Sequence, residues 1–278
     1  MSGLALIASY PKSGNTWLRA FLASHLHGGQ PIDLNGDLVR IRNVTGRSLQ
    51  DRHAGLEHSD LTPNEVALLR PLSSRRIARQ QPGLYKTHDS NLVPPGAREP
   101  AIPADAIDRV VYIVRDPRDV AISMAHHFGW SLAASVDRMG DTAFCIGLSS
   151  PGLNMNIEQW VSSWSAHVES WLDAGDLHLL PLRYEDLLAD PPGHFTQLCR
   201  FLGLDDTRHA VSRSLEASSF TALADQEART GFRERYAAST APFFRKGGAG
   251  GWRGELPPEL AERVACTHRR VMARFAYR

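Results

Sequence analysis

Cysteine is scarce. Cys145, Cys199 and Cys266 are odd in number, widely spaced and without a C-x-x-C pair, which excludes a disulfide framework and a thiolate metal or redox site. They read as reduced thiols of a cytoplasmic protein. No stretch approaches the roughly 18 to 20 uninterrupted apolar residues of a membrane span. The opening run from Leu4 to Tyr10 is too short for a signal peptide and has no basic region ahead of it. Neither charge dominates, since 31 Lys plus Arg stand against 30 Asp plus Glu for a formal net charge of +1. That balance excludes a disordered tail of one sign and gives no support to a nucleic-acid partner. Fixed-period repeats and low-complexity tracts are also missing, so solenoids and propellers drop out.

What is present is a globular composition, 42% hydrophobic and 22% charged, in a chain of 278 residues. A chain of this length buries roughly three quarters of its unfolded surface, so its core needs no disulfide or metal staple. Leu4 to Tyr10 is a continuous apolar run closed by Pro11, as expected of a strand buried on both faces. After turn chemistry over residues 11–15, Trp17, Ala20, Phe21 and Leu22 recur at helical spacing and stop near Gly28-Gly29. The unit repeats: Arg109 to Val114 reads as a second strand, residues 115–118 as a turn, and Asp119 onward as a helix with Val120, Ser123 and Met124 on one side. Leu177 to Leu182 is a third strand, preceded by a helix carrying Trp160, Trp164, Val168 and Trp171.

Strands alternating with helices predict an α/β fold, a central parallel sheet flanked by helices, and residues 1–278 are simplest as a single domain. Residues 30–82 and 129–155 have weak periodicity and read as connections and lids.

Two loops carry the chemistry. Tyr10-Pro-Lys-Ser-Gly-Asn-Thr-Trp17 lies between a buried strand and a helix start, where free backbone amides and the helix dipole favour an anion. Lys12 adds a charge, Ser13 and Thr16 add hydroxyls, and Gly14 permits close backbone approach. The result is a P-loop-like phosphate cradle but not a Walker A loop, because Lys12 precedes the glycine. The second segment places Arg115 at the C-terminal end of a strand, where open α/β sheets bind ligands, with Ser123 two helical turns further on. A structural Arg–Asp pair at the turn is the plain alternative. The glycine-rich segment from Arg245 to Gly254 carries three cations and amides that can wrap an anion. His126-His127 would suggest a metal, but adjacent helical positions point about 100° apart, and no Cys or carboxylate completes a ligand set.

Together these segments resemble the cytosolic sulfotransferase family, whose members move a sulfuryl group from 3′-phosphoadenosine 5′-phosphosulfate (PAPS) to a hydroxyl or amine, leaving 3′,5′-adenosine bisphosphate (PAP). The Lys12 loop is similar to the family's 5′-phosphosulfate loop P-K-S-G-T-T-W, Arg115 to Ser123 to its 3′-phosphate motif, and Arg245-Lys246-Gly247 to its closing R-K-G-x-x-G-x-W/K loop. Lys86-Thr87-His88 resembles the K-T-H segment bearing the catalytic base. Tyr184-Glu-Asp-Leu187 and Ser218-Ser-Phe220 are similar to two further nucleotide contacts. The resemblance covers residues 5–254 in the family's order.

It implies that Lys12 touches the bridging oxygen released when the S–O bond breaks, and that Ser13, Gly14, Asn15 and Thr16 serve the 5′-phosphate. Trp17 and Phe220 would sandwich adenine. Arg115, Ser123, Arg245, Lys246 and Gly247 would hold the 3′-phosphate, with Tyr184 and Ser218 along the nucleoside. Lys86 would steady charge near the sulfuryl group and His88 would take the acceptor's proton. No metal is implied, because side-chain cations neutralise the phosphosulfate. The partner would be a small-molecule acceptor.

Several positions depart from the family. Asn15 replaces the first threonine of the T-T pair, and Ser218 stands where threonine is usual. Pro257-Pro258 interrupts the dimer motif over residues 253–262, which leaves the oligomeric state open. The first strand begins only a few residues into the sequence, so the leader that eukaryotic members use near the acceptor is expected to be missing; the resemblance is to a bacterial member of the family. The rival readings are a P-loop phosphotransferase using ATP and magnesium, and a nucleotide-binding module without catalysis.

Overall fold

The computed structural model of the protein describes residues 3–147 and 155–278. Strand β1 (Leu4–Ser9) is buried at every position, which is why its sequence shows an unbroken apolar run rather than alternation. It belongs to a five-stranded sheet with β2 (Arg42–Asn43), β3 (Gly83–Thr87), β4 (Ile107–Val114) and β7 (Leu179–Arg183), in the order β2-β3-β1-β4-β7. β1 and β3 run parallel from Leu4 opposite Gly83 to Ala8 opposite Thr87, and β2 runs parallel to β3. Parallel neighbours need long crossovers, and between β1 and β3 the chain supplies α1 (Asn15–Leu26), α2 (Arg47–Ala54) and α3 (Pro63–Gln80). A fourth helix, α4 (Pro117–Phe128), follows β4, and a small antiparallel ribbon pairs β5 (Cys145–Ile146) with β6 (Gln159–Trp160). The α/β class and the central parallel sheet are as the sequence predicts.

The chain forms two compact units, interleaved in sequence. One takes the N-terminal strand through Tyr10, Arg42–Tyr112 and Asp141–Pro181; the other takes Pro11–Ile41, Ile113–Gly140 and Leu182–Arg278.

Three sequence expectations fail, the first two of them in the first unit. Residues 30–82 hold α2 and the 18-residue α3 instead of connections alone. α3 hides from a hydrophobic-period reading because its buried face includes Arg70, Ser73 and Ser74. Arg70 pairs with Asp89, Ser73 donates to Gln50, and Ser74 Oγ donates to the Ala101 carbonyl at 2.8 Å. A local signal that the sequence reading did not use marks its start: Thr62 and Glu65 form a capping box around Pro63 at the first helical position.

The second failure is Trp160, which lies in β6 and not on a helix with Trp164. Its amide donates to Asp89 and its carbonyl accepts from the Ser90 amide at 2.8 Å, so its backbone is committed to the chain after β3. Ser162 has φ +64°, and Ser163 then caps a helix over Trp164–Leu172 by accepting from the Ala166 amide. Trp164, Val168 and Trp171 stay on that helix, fully buried. The other segment read as a connection, residues 129–155, contains a helix over Leu132–Gly140, while its residues 148–154 lie outside the described residues.

In the second unit, α1 packs Ala20 and Ala23 against Ile32, Leu34, Leu38, Leu223 and Phe232, with Trp17, Phe243 and Phe244 at the edge of the cluster. Arg19 is buried here, forked onto Glu234 at 2.8 and 3.0 Å with a further bond to the Leu38 carbonyl. That pairing satisfies an otherwise costly buried charge. Pro257 and Pro258 start the helix Pro258–Thr267, a position where a missing amide hydrogen costs nothing. The three cysteines are free thiols, and burial pushes the Cys199 thiol up to about 12.

Candidate active site

The residues marked by sequence for the nucleotide all fall in the second unit. Between β1 and α1 the chain turns through two left-handed residues, Lys12 at φ +66° and Gly14 at φ +107°. Gly14 is required twice over. Its dihedral suits glycine, and a Cβ there would stand 2.6 Å from the Tyr184 ring. Gly14 is also the N-cap of α1 and offers no side-chain cap, so the first amides of the helix keep their capacity for an anion. Ser13 is fully buried, and its hydroxyl has no hydrogen-bond partner among the described residues. A buried unpartnered hydroxyl costs roughly 1 to 3 kcal/mol, and an anion held at this turn would give it an acceptor. Asn15 and Thr16 are buried beside it, and the Lys12 ammonium rests over the Phe243 ring, 3.6 Å from its centroid.

Arg115 follows β4 and ties this turn to the glycine-rich loop. Its Nη1 donates to the Lys12 carbonyl at 3.2 Å and its Nη2 to the Gly248 carbonyl at 3.0 Å. The guanidinium lies over the Tyr184 ring at 4.5 Å, while Nε is buried with no hydrogen-bond partner among the described residues. Burial pushes the Tyr184 phenol up, against the pull of Arg115. The turn's Arg–Asp pair does exist, but it is Arg118 that forks onto Asp116, which leaves Arg115 out of it. Ser123 sits half-buried on α4. Trp17 is half-buried, edge-on to Tyr184 and Phe195. Phe220 is 38% exposed and lies against Gly247, where φ is +62° and any Cβ would run into its ring. Ser218 is buried, and its hydroxyl hydrogen is directed to the Ser214 carbonyl at 2.7 Å.

Three carboxylates that sequence reading passed over shape the loop from Phe243 to Glu255. Glu227 accepts from the Phe243 and Phe244 amides at 2.7 and 2.9 Å, and Asp119 from the Gly250 and Trp252 amides at 2.6 and 2.9 Å. Glu255 pairs with both Arg245 and Lys246. Asp119 lies inside the R-D-P-R-D segment and was in view as a helix start; no local signal ties Glu227 or Glu255 to a loop. His126 and His127 part company: His126 faces Glu255, whereas His127 packs among Phe128, Tyr236 and Phe243. Among the described residues no three His, Cys, Asp or Glu side chains gather where they could hold a metal ion.

Lys86 and His88 belong to the first unit, at the end of β3. His88 Nδ1 lies 2.8 Å from the Ser9 carbonyl oxygen. A carbonyl only accepts, so Nδ1 carries the hydrogen and the lone pair of the neutral imidazole is on Nε2. Its backbone is held from both sides, the amide donating to Gln159 Oε1 and the carbonyl accepting from His167 Nε2, each at 3.2 Å. His167 in turn accepts from the Tyr112 hydroxyl on Nδ1 at 2.8 Å. Complete burial lowers its pKa to about 4, so it is neutral, and its tautomer is fixed by these two partners. Asp89, buried next to His88, takes a two-pronged bond from Arg70 at 2.8 Å on each arm and another from Thr87 Oγ1 at 3.0 Å. Sequence reading missed this scaffold because its members are far apart in the chain.

Comparison with known proteins agrees over almost the full length. The family model described as "Sulfotransferase domain" matches residues 4–276. Cytosolic sulfotransferase 16 of Arabidopsis thaliana is 28% identical over 274 residues, covering 93% of this chain and 73% of that protein. Human sulfotransferase 1C2 is 25% identical over 280 residues, covering 96% and 82%. Among solved structures, retinol dehydratase in complex with androsterone and inactive cofactor PAP aligns with a TM-score of 0.64 at 22% identity, over 98% of this chain and 81% of that one. Mouse sulfotransferase SULT7A1 complexed with PAP aligns with a TM-score of 0.59 at 20% identity, over 98% and 85%. At these identities the structures speak for the fold.

Proposed function

The chain belongs to the sulfotransferase domain family, and on that premise we propose that it transfers a sulfuryl group from PAPS to a hydroxyl or amine of a small-molecule acceptor, with His88 as general base and the second unit as the nucleotide site. The observation that carries the reading is the turn over residues 12–16: a buried hydroxyl with no partner among the described residues, two left-handed residues of which one is Lys12, and an uncapped helix start. That set suits a phosphate group better than any neutral ligand.

PAPS, when bound, supplies the sulfuryl group and a phosphate leaving group. Ser13, Gly14, Asn15 and Thr16 hold the 5′-phosphate, and Lys12 stabilises negative charge on the departing oxygen. Arg115, Ser123, Arg245, Lys246 and Gly247 hold the 3′-phosphate. Trp17, Tyr184, Ser218 and Phe220 line the nucleoside. His88 accepts the acceptor's proton on Nε2, the nitrogen left unprotonated by the Ser9 contact. Lys86 steadies charge on the group in transfer. The solved relative holding androsterone supports an acceptor of that size. No helix of the described residues is long and apolar enough to cross a membrane, in keeping with a cytoplasmic site of action.

The test is transfer of label from PAPS to a panel of alcohols, phenols and amines, with chelator present. The expected result is labelled product and an equal amount of PAP, at the same rate with and without chelator. Label transfer that needs ATP and magnesium would instead support a phosphotransferase.

A further inference from the structure

We propose that Glu255 is a built-in competitor for the 3′-phosphate, holding Arg245 and Lys246 in the nucleotide-free protein and yielding them to the ligand, so that this one carboxylate sets how strongly PAP is preferred over AMP. The inference rests on the reading that those two cations bind the 3′-phosphate.

Glu255 Oε2 accepts from Arg245 Nη1 at 2.7 Å, and Oε1 is paired with the Lys246 ammonium. Partial burial opposes ionisation of this carboxyl, but the hydrogen bonds from Lys246 and Arg245 outweigh it and hold the group below the usual carboxylate range. It is therefore an anion throughout the neutral range. One carboxylate bridging two adjacent cations offers them what a phosphate monoester offers, two acceptor oxygens, but with a single charge instead of about −1.5 to −2.

The contact is enforced by the loop. Glu227 fixes the chain just before Arg245, at Phe243 and Phe244. Asp119 fixes it just before Glu255, at Gly250 and Trp252. Cations and carboxylate are thus held at short range at high effective concentration. A further neighbour of the carboxylate, His126 Nε2 on α4, is 3.9 Å away. Burial, then Arg245, lowers the pKa of that imidazole, so it brings no rival positive charge. Two cations against one carboxylate leave a net charge near +1. A dianion can displace Glu255, and a ligand lacking the 3′-phosphate leaves the pairing in place.

Calorimetric titration of the wild type, Glu255→Gln and Glu255→Ala with PAP and with AMP tests this. Loss of one charge-assisted competitor predicts PAP binding roughly tenfold tighter in both variants. AMP, which does not reach these cations, should bind all three proteins alike, and it reports that the fold is intact. If PAP binds the variants more weakly, Glu255 orders the cations instead of competing for them, and the proposal is overturned; unchanged PAP affinity overturns it equally. A wild type that binds PAP and AMP with equal affinity would remove the 3′-phosphate subsite itself, whereas a normal PAP preference without tightening removes only the role of Glu255.

Discussion

Replacing His88 with alanine should lower kcat by roughly 10²- to 10⁴-fold, the usual contribution of a general base, while the affinity for PAP stays as in the wild type. The reason is the role assigned to it: the imidazole takes the acceptor's proton and is not among the residues assigned to the nucleotide. Alanine also removes the hydrogen bond from His88 to the Ser9 carbonyl, so a loss of turnover alone does not separate chemistry from packing. His88→Asn does. Its amide nitrogen replaces the donor to Ser9 but has no basic lone pair, so it should restore stability and leave turnover as low as in the alanine variant. Turnover recovered by asparagine would assign His88 to structure. Steady-state kinetics and thermal unfolding of the two variants decide between these outcomes.

The second large effect is expected at Lys12. Its ammonium lies over Phe243, whose amide is tied to Glu227, so the charge is stationed over a ring that Glu227 helps to fix. Lys12→Met keeps the stem and its contact with the ring and removes only the charge. Removing one preorganised group that stabilises the leaving oxygen costs roughly 10²- to 10³-fold in turnover. Unlike His88, Lys12 also meets the ground-state phosphosulfate, so PAPS binding should weaken measurably in the same variant. A variant that loses affinity but keeps kcat would mean that Lys12 binds substrate and transition state alike.

How far these roles could be read from sequence depends on the range of the interactions behind them. β1, α1, β4 and α4 were legible because buried parallel strands leave unbroken apolar runs and the helices after them have regular spacing. The turn at Lys12 to Thr16 was legible because its chemistry is contiguous. α3 was not, since Arg70, Ser73 and Ser74 occupy its buried face and find partners elsewhere in the chain. Trp160 was misplaced because helical spacing to Trp164 is coincidental, and the Asp89 contact that fixes its backbone is 71 residues away. The same holds for the anchors of the glycine-rich loop: Asp119 reaches Gly250 across 131 positions. Carboxylates that accept backbone amides at such separations leave no mark in local composition. Composition showed the cations and glycines of the loop from Arg245 to Gly254, but not the carboxylates that hold the chain on either side of its two leading cations.

The central claim is that the second unit recognises a nucleotide carrying a phosphate at the 3′ position, and comparing PAP, AMP and ATP by calorimetry on the metal-free wild-type protein tests it most directly. Charge-assisted hydrogen bonds from Arg115, Arg245 and Lys246, at about 1.5 to 3 kcal/mol each, predict that PAP binds at least roughly tenfold more tightly than AMP, even with Glu255 in competition, and that ATP gains no comparable advantage. Equal affinities for PAP and AMP, or a preference for ATP, would contradict the account.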